Sequence, residues 1–184
     1  MLQAAGYDIV PRAAPYDVAL VRKVWGALSS AGAARAAEIH PDRWRGEASA
    51  AIAATAVRGL ALSAVDYVRA LDGLADIRTG VADAWGDVDV FLCPSAASPA
   101  WPIGDEFPAE IGGAPGHAGA QGAFATWVNA IGHPGLNIPA RPHANGLPLG
   151  VQLVGRFGGE EDLFELARSL GSGATWKPAA FPRW

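Results

Sequence analysis

Side chains that could do metal or acid–base chemistry are few in this chain, and they form no recognised constellation. The chain has four histidines and a single cysteine, and none of them stands at the spacing of a metal-ligand motif. We therefore expect no metal site and no resident cofactor. The histidines are His40, His117, His133 and His143.

A serine nucleophile with a lysine base is the next chemistry to consider. Ser29-Ser30 is the only pair of adjacent serines, and Lys23 lies six residues before it. A serine nucleophile needs a constrained, exposed turn with amide donors close by. This pair instead ends an amphipathic helical pattern among alanines, and no Gly-x-Ser-x-Gly elbow occurs in the chain. We assign no catalytic residue.

Two further features have ordinary structural explanations. Cys93 ends an apolar, strand-like run and is predicted to be a small buried hydrophobe. The segment 155–159 joins a strand to a helix but lacks the Lys-Ser/Thr of a phosphate loop. Three acids, Glu160 to Asp162, occupy the following helix start, where a bound anion would have to lie. Residues 155–159 are therefore predicted to form a plain turn and not a phosphate-binding loop.

Composition indicates one well-buried domain over residues 1–184. The chain is 51% hydrophobic and 17% charged, which favours an α/β or α+β body over a disordered chain. A net charge of -4 argues against nucleic-acid binding. No apolar run reaches the roughly 18–20 residues of a membrane span. One cysteine excludes an internal disulfide and fits a reducing compartment, so we expect a cytoplasmic protein.

The first half of the chain is predicted to be mostly helical. Residues 7–11 are predicted to form a short buried strand, and residues 16–29 an amphipathic helix. Residues 31–46 are predicted to be a loop with a helical turn. Helical spacing then continues over residues 47–85, where three glycines predict a break into two helices. A buried strand is predicted over residues 88–93.

The most strongly patterned stretch of the chain is residues 129–155. It contains two short apolar runs, residues 136–138 and 149–154, which are predicted strands separated by a Pro/Asn/Gly turn region. A short helix is predicted before them over residues 124–131, and an acidic-start helix after them from Glu160. The Pro-rich tail, residues 172–184, is predicted to be extended.

This stretch resembles the C-terminal signature of the amidase signature family of serine amidases. The pattern Asp89 to Ser95 and the early run Gly6 to Val10 resemble two further strands of that family, so the likeness spans most of the chain. The matching positions of the signature are Asn129, Gly132, Pro134, Pro139, Gly146, Leu147, Pro148, Gly150, Gln152, Gly155, Glu160 and Glu161.

The resemblance implies amide hydrolysis by a serine, a second serine in a cis peptide and a lysine base. All of these groups belong to the N-terminal half of the family fold, and none has a counterpart in this sequence. The implied fold class is α/β: part of a mixed central β-sheet covered by helices, lacking the N-terminal catalytic half. The implied substrate of the full-length enzyme is a small amide.

The wall of a substrate pocket is what such a C-terminal half would add to the family fold. The loop 94–122 is rich in Pro, Gly and Ala, and a loop of this length is usually functional. Trp101 on this loop, and Phe124 and Trp127 on the following helix, are the candidate substrate-binding residues. The alternative is that these aromatics are ordinary core residues.

Three functional hypotheses follow from this sequence. In the first, the chain is the C-terminal portion of an amidase and is inactive alone. In the second, it is a non-catalytic half that pairs with a separate catalytic chain. In the third, it is a stand-alone module that binds a small ligand. An incomplete sheet needs cover, so an N-terminal catalytic half or a second copy in a homodimer is the expected protein partner.

Overall fold

A computed structural model describes residues 2–171 of the chain. The predicted extended tail, residues 172–184, lies outside the described residues. The described chain divides into a helical unit, residues 14–86, and a sheet unit formed by residues 2–13 and 87–171. The mixed helix-and-strand class is confirmed, whereas the single domain over residues 1–184 stays a prediction.

Four helices form the helical unit, and most of them begin at a side-chain cap. Asp17 accepts hydrogen bonds from the backbone N–H groups of Ala19 and Leu20, at 2.7 and 3.1 Å. Ser49 and Ser63 cap the third and fourth helices in the same way. The helices are α1 (Val18–Ile39), α2 (Pro41–Glu47), α3 (Ala50–Leu60) and α4 (Ala64–Trp85).

Glycines allow α1 to pack closely on its two long neighbours. A Cβ atom at Gly59 of α3 would overlap the backbone oxygen of Ser30 in α1. A Cβ at Gly73 of α4 would lie 2.8 Å from Cγ2 of Val24. These two glycines lower helix propensity, but here they let the backbones of the packed helices approach closely.

The predicted loop over residues 31–46 is wrong. Helix α1 continues to Ile39, and α2 follows at Pro41. The segment has few large apolar residues and therefore no visible period, but alanine is the best helix former. Its five alanines between Ala31 and Ala37 sustain the helix without a strong apolar stripe.

The predicted break in residues 47–85 is confirmed. It lies at residues 61–63, where Ser63 Oγ donates to Asp66 Oδ2 at 2.6 Å and accepts from the Asp66 N–H at 3.1 Å. This reciprocal contact starts α4, and α3 and α4 bend by 104° at the break. Within residues 2–171 no single helix is long and apolar enough to cross a membrane, although this bent pair passes by length and composition.

The sheet unit is built on three antiparallel strands with β5 in the centre. The predicted strands and both predicted helices of the C-terminal region are confirmed, within one or two residues for most of their ends. The elements are β1 (Phe91–Pro94), β2 (Glu110–Ile111), β3 (Ala114–Pro115), α5 (Thr126–Ile131), β4 (Gly135–Pro139), β5 (Gly150–Val154) and α6 (Glu160–Ser169), with the strand order β1–β5–β4.

One face of this sheet is apolar and packs on α6. Ile138 of β4, Leu153 of β5 and Leu163 of α6 are buried together and form the centre of this core. The acids of the first turn of α6 lie at its N-terminus, where the helix dipole favours negative charge. Because successive side chains of a strand point to opposite faces, every second residue of β1, β4 and β5 projects from the other face of the sheet.

The buried strand predicted over residues 7–11 is wrong. These residues form no regular element, and Tyr7 and Val10 are 38% and 63% exposed. A strand needs a neighbouring strand edge for its backbone groups, and no described strand pairs with this segment. Side chains connect it to the rest of the sheet unit: Tyr7 Oη lies 2.7 Å from Ser169 Oγ, and Arg12 forms a 2.7 Å ion pair with Asp87.

The long loop 94–122 contains a short hairpin that composition alone does not predict. β2 and β3 pair antiparallel, with Ile111 opposite Ala114. Gly112 and Gly113 between them have φ values of +60° and +82°. A two-residue turn of this kind requires positive φ at both central positions, which glycine adopts without strain. The Gly112-Gly113 pair is therefore the sequence feature that indicates this hairpin.

Candidate functional site

The second face of the sheet carries a row of polar side chains across all three strands. In the register of the sheet, Gln152 of β5 lies opposite Cys93 of β1 on one side and opposite Asn137 of β4 on the other. Residues that are directly opposite in antiparallel strands project to the same face. Together with Ser95, which follows β1, these side chains form what we call the polar row.

Ser95 and Asn137 are joined across the central strand. The Ser95 hydroxyl donates to Asn137 Oδ1 at 2.7 Å, and the Ser95 N–H donates to the Gly150 carbonyl at 3.0 Å. A Cβ at Gly150 would lie 2.6 Å from Ser95 Oγ. The contact between β1 and β4 therefore depends on a glycine at this position of β5.

Cys93 is a partly buried thiol with a peptide group as its acceptor. Its Sγ donates to the backbone oxygen of Phe124 at 3.8 Å, which places the segment before α5 over the polar row. Burial raises the pKa of the Cys93 thiol to about 11, because a thiolate is poorly solvated there. At neutral pH the thiol is protonated and is a weak nucleophile. Cys93 therefore packs as a small apolar residue, but it is less buried than the sequence predicts.

Gln152 is the most buried member of the polar row, with 4% of its surface exposed. Its carboxamide lies close to Gly135. A Cβ atom added to Gly135 would be 3.8 Å from Cδ and from Nε2 of Gln152. The same atom would be 3.3 Å from Cγ1 of Val128 in α5. Helix α5 therefore covers this part of the row. Nε2 of Gln152 is buried and has no hydrogen-bond partner among residues 2–171.

Gln121 is a second glutamine with an unsatisfied buried atom. It lies in a single 3-10 turn, Ala120–Gly122, shortly before α5. Its backbone oxygen accepts from the Ala97 N–H at 3.1 Å, which ties the turn to the chain just beyond Ser95. The side-chain Oε1 of Gln121 is buried without a hydrogen-bond partner in the described part of the chain.

The predicted substrate-binding residues lie in three different environments. Trp127 of α5 is 2% exposed and meets Phe91 edge to face, with ring centroids 6.3 Å apart. Phe124 is half-buried, and its carbonyl accepts from Cys93. Trp101 is half-buried on the long loop, where its Nε1 donates to the carbonyl of Asp105 at 3.0 Å. Their assignment to a substrate-pocket wall stays a prediction.

Two further candidates for chemistry, His133 and Ser30, lie against backbone groups. His133 Nδ1 lies 3.0 Å from the carbonyl of Gly155, and its ring meets Phe157 edge to face. Ser30 is buried in α1 beside Gly59. Within residues 2–171 no group of three or more His, Cys, Asp or Glu side chains could hold a metal ion.

Sequence reasoning does not find the polar row. It places Gln152 inside a strand, and it includes Ser95 and Asn137 only as parts of strand motifs. A glutamine inside the apolar run of β5 is the one available signal, since a buried polar side chain in a central strand needs a partner. The partner residues come from other strands, and a single sequence does not reveal their register.

Known proteins resemble this chain over most of its length. The model of a protein family described as Amidase matches residues 5–164. This chain belongs to the amidase family. The chain is also similar to a glutamyl-tRNA(Gln) amidotransferase subunit from Parvibaculum lavamentivorans, at 35% identity over 118 residues. The corresponding protein of Methylocella silvestris is 39% identical over 119 residues.

Solved amidase structures share the fold. A structure described as the crystal structure of amidase superposes with a TM-score of 0.75 at 27% identity, covering 86% of this chain and 37% of that one. The structure of 6-aminohexanoate cyclic dimer hydrolase superposes with a TM-score of 0.74 at 21% identity, covering 95% and 39%. The latter shows the fold alone.

This amidase-family chain spans a small part of its relatives. The match covers 64% of this chain but only 23% of the length of the Parvibaculum protein, and the same shares hold for the Methylocella protein.

Proposed function

We propose that this chain is the C-terminal portion of an amidase, and that it supplies sheet scaffold and part of the substrate-pocket wall. In this proposal the chain alone does not hydrolyse amides, because the two serines and the lysine that the family resemblance implies have no counterpart in it. The substrate of the full-length enzyme is a small amide. The family match over residues 5–164 supports the assignment to amidases.

The acceptors of the Ser95 hydroxyl and the Cys93 thiol carry this proposal. Ser95 donates to an amide oxygen of Asn137, and Cys93 donates to a peptide carbonyl of Phe124. A nucleophile of an amidase needs a general base that takes up its proton. Amide and peptide oxygens do not take up a proton near neutral pH, so neither group is activated. The polar row therefore serves as scaffold.

The pocket wall is proposed to comprise Trp101, Phe124 and Trp127. Phe124 is the best placed, since it is half-buried and its segment covers the polar row. Trp127, on the helix that follows this segment, packs edge to face against Phe91 of β1. Trp101 lies on the long loop 94–122, whose length favours a role in a binding site.

A specific observation favours a second candidate, a non-catalytic half that pairs with a separate catalytic chain. Large apolar side chains of α3 and α4 are exposed, with Leu60 at 76% and Val57 at 66%. Exposed apolar groups in this number suit a protein partner, either a catalytic half or a second copy of this chain. The relatives are named as subunits of an amidotransferase, which supports assembly with other chains. The exposed groups are Ile52, Val57, Leu60, Val65, Tyr67, Val68 and Leu71.

A replacement experiment separates these candidates. The segment of the Parvibaculum relative that matches this chain is exchanged for the matching residues of this chain, and ammonia release from an amide is measured. We expect the chimera to fold and to release ammonia. Co-purification of this chain with the rest of the relative, supplied as a separate polypeptide, would support the pairing half. A chimera that folds but has lost all amide hydrolysis would contradict the scaffold proposal.

The compartment belongs to the proposal as well. One cysteine in 184 residues, held as a partly buried free thiol, suits a reducing environment. We therefore place the protein in the cytoplasm. A fusion of a fluorescent protein to the chain, imaged in the producing cell, tests this placement, and export of the fusion would contradict it.

A further inference from the structure

Helix α4 carries two separate apolar stripes, and only one of them is buried in the helical unit. The buried stripe includes Gly73, which closely approaches Val24 of α1. Its members are Ala70, Gly73, Ile77, Val81 and Trp85. The second stripe is exposed, and we call it the outer stripe. It consists of Ala64, Val68, Leu71 and Ala75.

The outer stripe has the spacing of a coiled-coil seam. Its residues follow one another at intervals of four, three and four positions, which keeps them in line along a helix that packs lengthwise on another helix. Val68 is 54% exposed and Leu71 is 43% exposed. Single exposed apolar residues are ordinary, but a continuous line of them marks an interaction surface. The spacing fits an α-helix as the partner.

The order of side-chain sizes along the outer stripe is the same in both directions. Small Ala64 and Ala75 flank the larger Val68 and Leu71. Two copies of α4 can lie antiparallel about the midpoint of the stripe, between residues 69 and 70. Each Val68 then meets Leu71 of the second copy, and each Ala64 meets Ala75. A two-fold interface requires this reciprocity, because the same patch serves on both copies.

The charges beside the outer stripe are complementary in the same arrangement. Arg69 and Asp72 lie on one flank of α4, and both are exposed. A two-fold axis brings equal flanks of the two helices together, with Arg69 of one copy about 3 Å along the helix axis from Asp72 of the other. Arg69 also forms a 3.1 Å ion pair with Asp66 of its own helix, which a carboxylate of the second copy would join.

We propose that the outer stripe is the seam of a homodimer, in which α4 packs antiparallel on α4 of a second copy of this chain. The size order and the charges of this surface both fit α4 itself, and neither is required of a surface that binds an unrelated catalytic chain. This inference goes beyond the proposed amidase function, because it does not depend on any amide chemistry.

The seam is short, so the homodimer is reversible. The 22 residues of α4 make a helix about 33 Å long, and the outer stripe occupies only part of it. A standard interface has roughly 20–30 residues a side. A smaller contact gives weaker association, and we expect a dissociation constant on the order of micromolar.

Sedimentation velocity of the 184-residue chain over about 1 to 100 μM tests the proposal. We expect a concentration-dependent shift from monomer to dimer. V68D places a carboxylate in the apolar seam and should weaken association at least about tenfold. The matched control is V10D, which makes the same change at another exposed valine outside α4 and should leave association unchanged. A monomer at every concentration, or a dimer that V68D does not weaken, would overturn the proposal.

A charge exchange tests the arrangement while the apolar stripe stays intact. R69D and D72R each place like charges opposite one another and should weaken association by about fivefold, since each dimer contains two such pairs of exposed charges. The double variant R69D/D72R restores opposite charges and should recover most of the lost affinity. A double variant that associates no better than the single ones would count against the antiparallel seam.

Cross-linking separates an antiparallel seam from a parallel one. Chains carrying A64C and A75C in a C93A background are mixed and treated with a short thiol cross-linker. The antiparallel seam brings these two positions together, whereas two copies of residue 64 lie roughly 16 Å apart along the helix axis. We expect the cross-linked product in the mixture and not with A64C alone. Efficient cross-linking of A64C alone would contradict the proposed arrangement.

Failure of this inference is distinguishable from failure of the proposed function. An active chimera together with a chain that stays monomeric would leave the amidase scaffold standing and remove the homodimer seam. A dimer that V68D weakens, together with a folded but inactive chimera, would do the reverse.

Discussion

The Ser95 hydroxyl lies 2.7 Å from Oδ1 of Asn137, although β1, which Ser95 directly follows, and β4, which carries Asn137, are not neighbours in the sheet. The hydrogen bond passes over the central strand at Gly150, whose missing side chain leaves the room for it. It ties the two outer strands together on the face that carries the polar row.

Replacing Gly150 by alanine should destabilise the chain by about 1–3 kcal/mol, since overpacking a well-filled site costs this much. The new Cβ would lie 2.6 Å from Ser95 Oγ, so the Ser95–Asn137 bond must break or shift. Urea unfolding of G150A measures the loss. In the double variant S95A/G150A the two effects should be less than additive, because they act on the same contact. Strict additivity would show that Gly150 does not act through Ser95.

Two helical glycines should respond in opposite ways to alanine. G59A places a Cβ against the Ser30 carbonyl oxygen and should lower the free energy of unfolding by about 1–3 kcal/mol. G80A is the matched control in α4, where an added Cβ meets nothing within 4 Å. It should raise the free energy of unfolding by about 0.5–1 kcal/mol through helix propensity. Equal effects in thermal unfolding would contradict the close approach of α1 and α3.

Trp127 should be far more important for stability than Trp101. W127A removes a side chain that is 2% exposed, and large-to-alanine changes of this kind cost about 3–5 kcal/mol. W101A removes a half-buried loop residue with one hydrogen bond to Asp105, for which we expect about 1 kcal/mol. Denaturant unfolding of both variants gives the comparison. A smaller loss for W127A than for W101A would mean that α5 does not pack on the sheet as described.

Cys93 should make the chain less stable in alkaline solution. Burial raises the pKa of its thiol from 9.0 to about 11, so the folded chain holds the proton more tightly than the unfolded chain. The stabilisation is fully present below pH 9.0 and is lost as the pH rises through about 11. The measurement is the difference in unfolding free energy between the natural chain and C93A across this range, which cancels other titrating groups. A flat difference would show that the thiol is not shielded from water.

Elements with strong local signals are predictable from the sequence. The acidic start of α6, the Pro-bounded apolar runs of β4 and β5, and the helical spacing before Gly132 each combine pattern with a start or stop residue. Gly132 ends α5 with a φ of +78°, as expected of a glycine after a helix. The family resemblance rests on these same positions.

Features that depend on tertiary contacts are not predictable in this way. A strand is predicted over residues 7–11, but no described strand pairs with them. Helix α1 extends through an alanine-rich segment in which no apolar period is visible. The polar row depends on the register between β1, β5 and β4, and the burial of Gln121 depends on a turn tied to Ala97. Local sequence carries little information on any of these.

Amide hydrolysis by the isolated 184-residue chain is the most direct test of the scaffold account. The purified chain is incubated with a simple amide such as benzamide, and ammonia is measured against a buffer blank and against an intact amidase of the same family. The account predicts no release above the blank, because the acceptors of Ser95 and Cys93 are not bases. Turnover by the natural chain that disappears in S95A or C93A would contradict it.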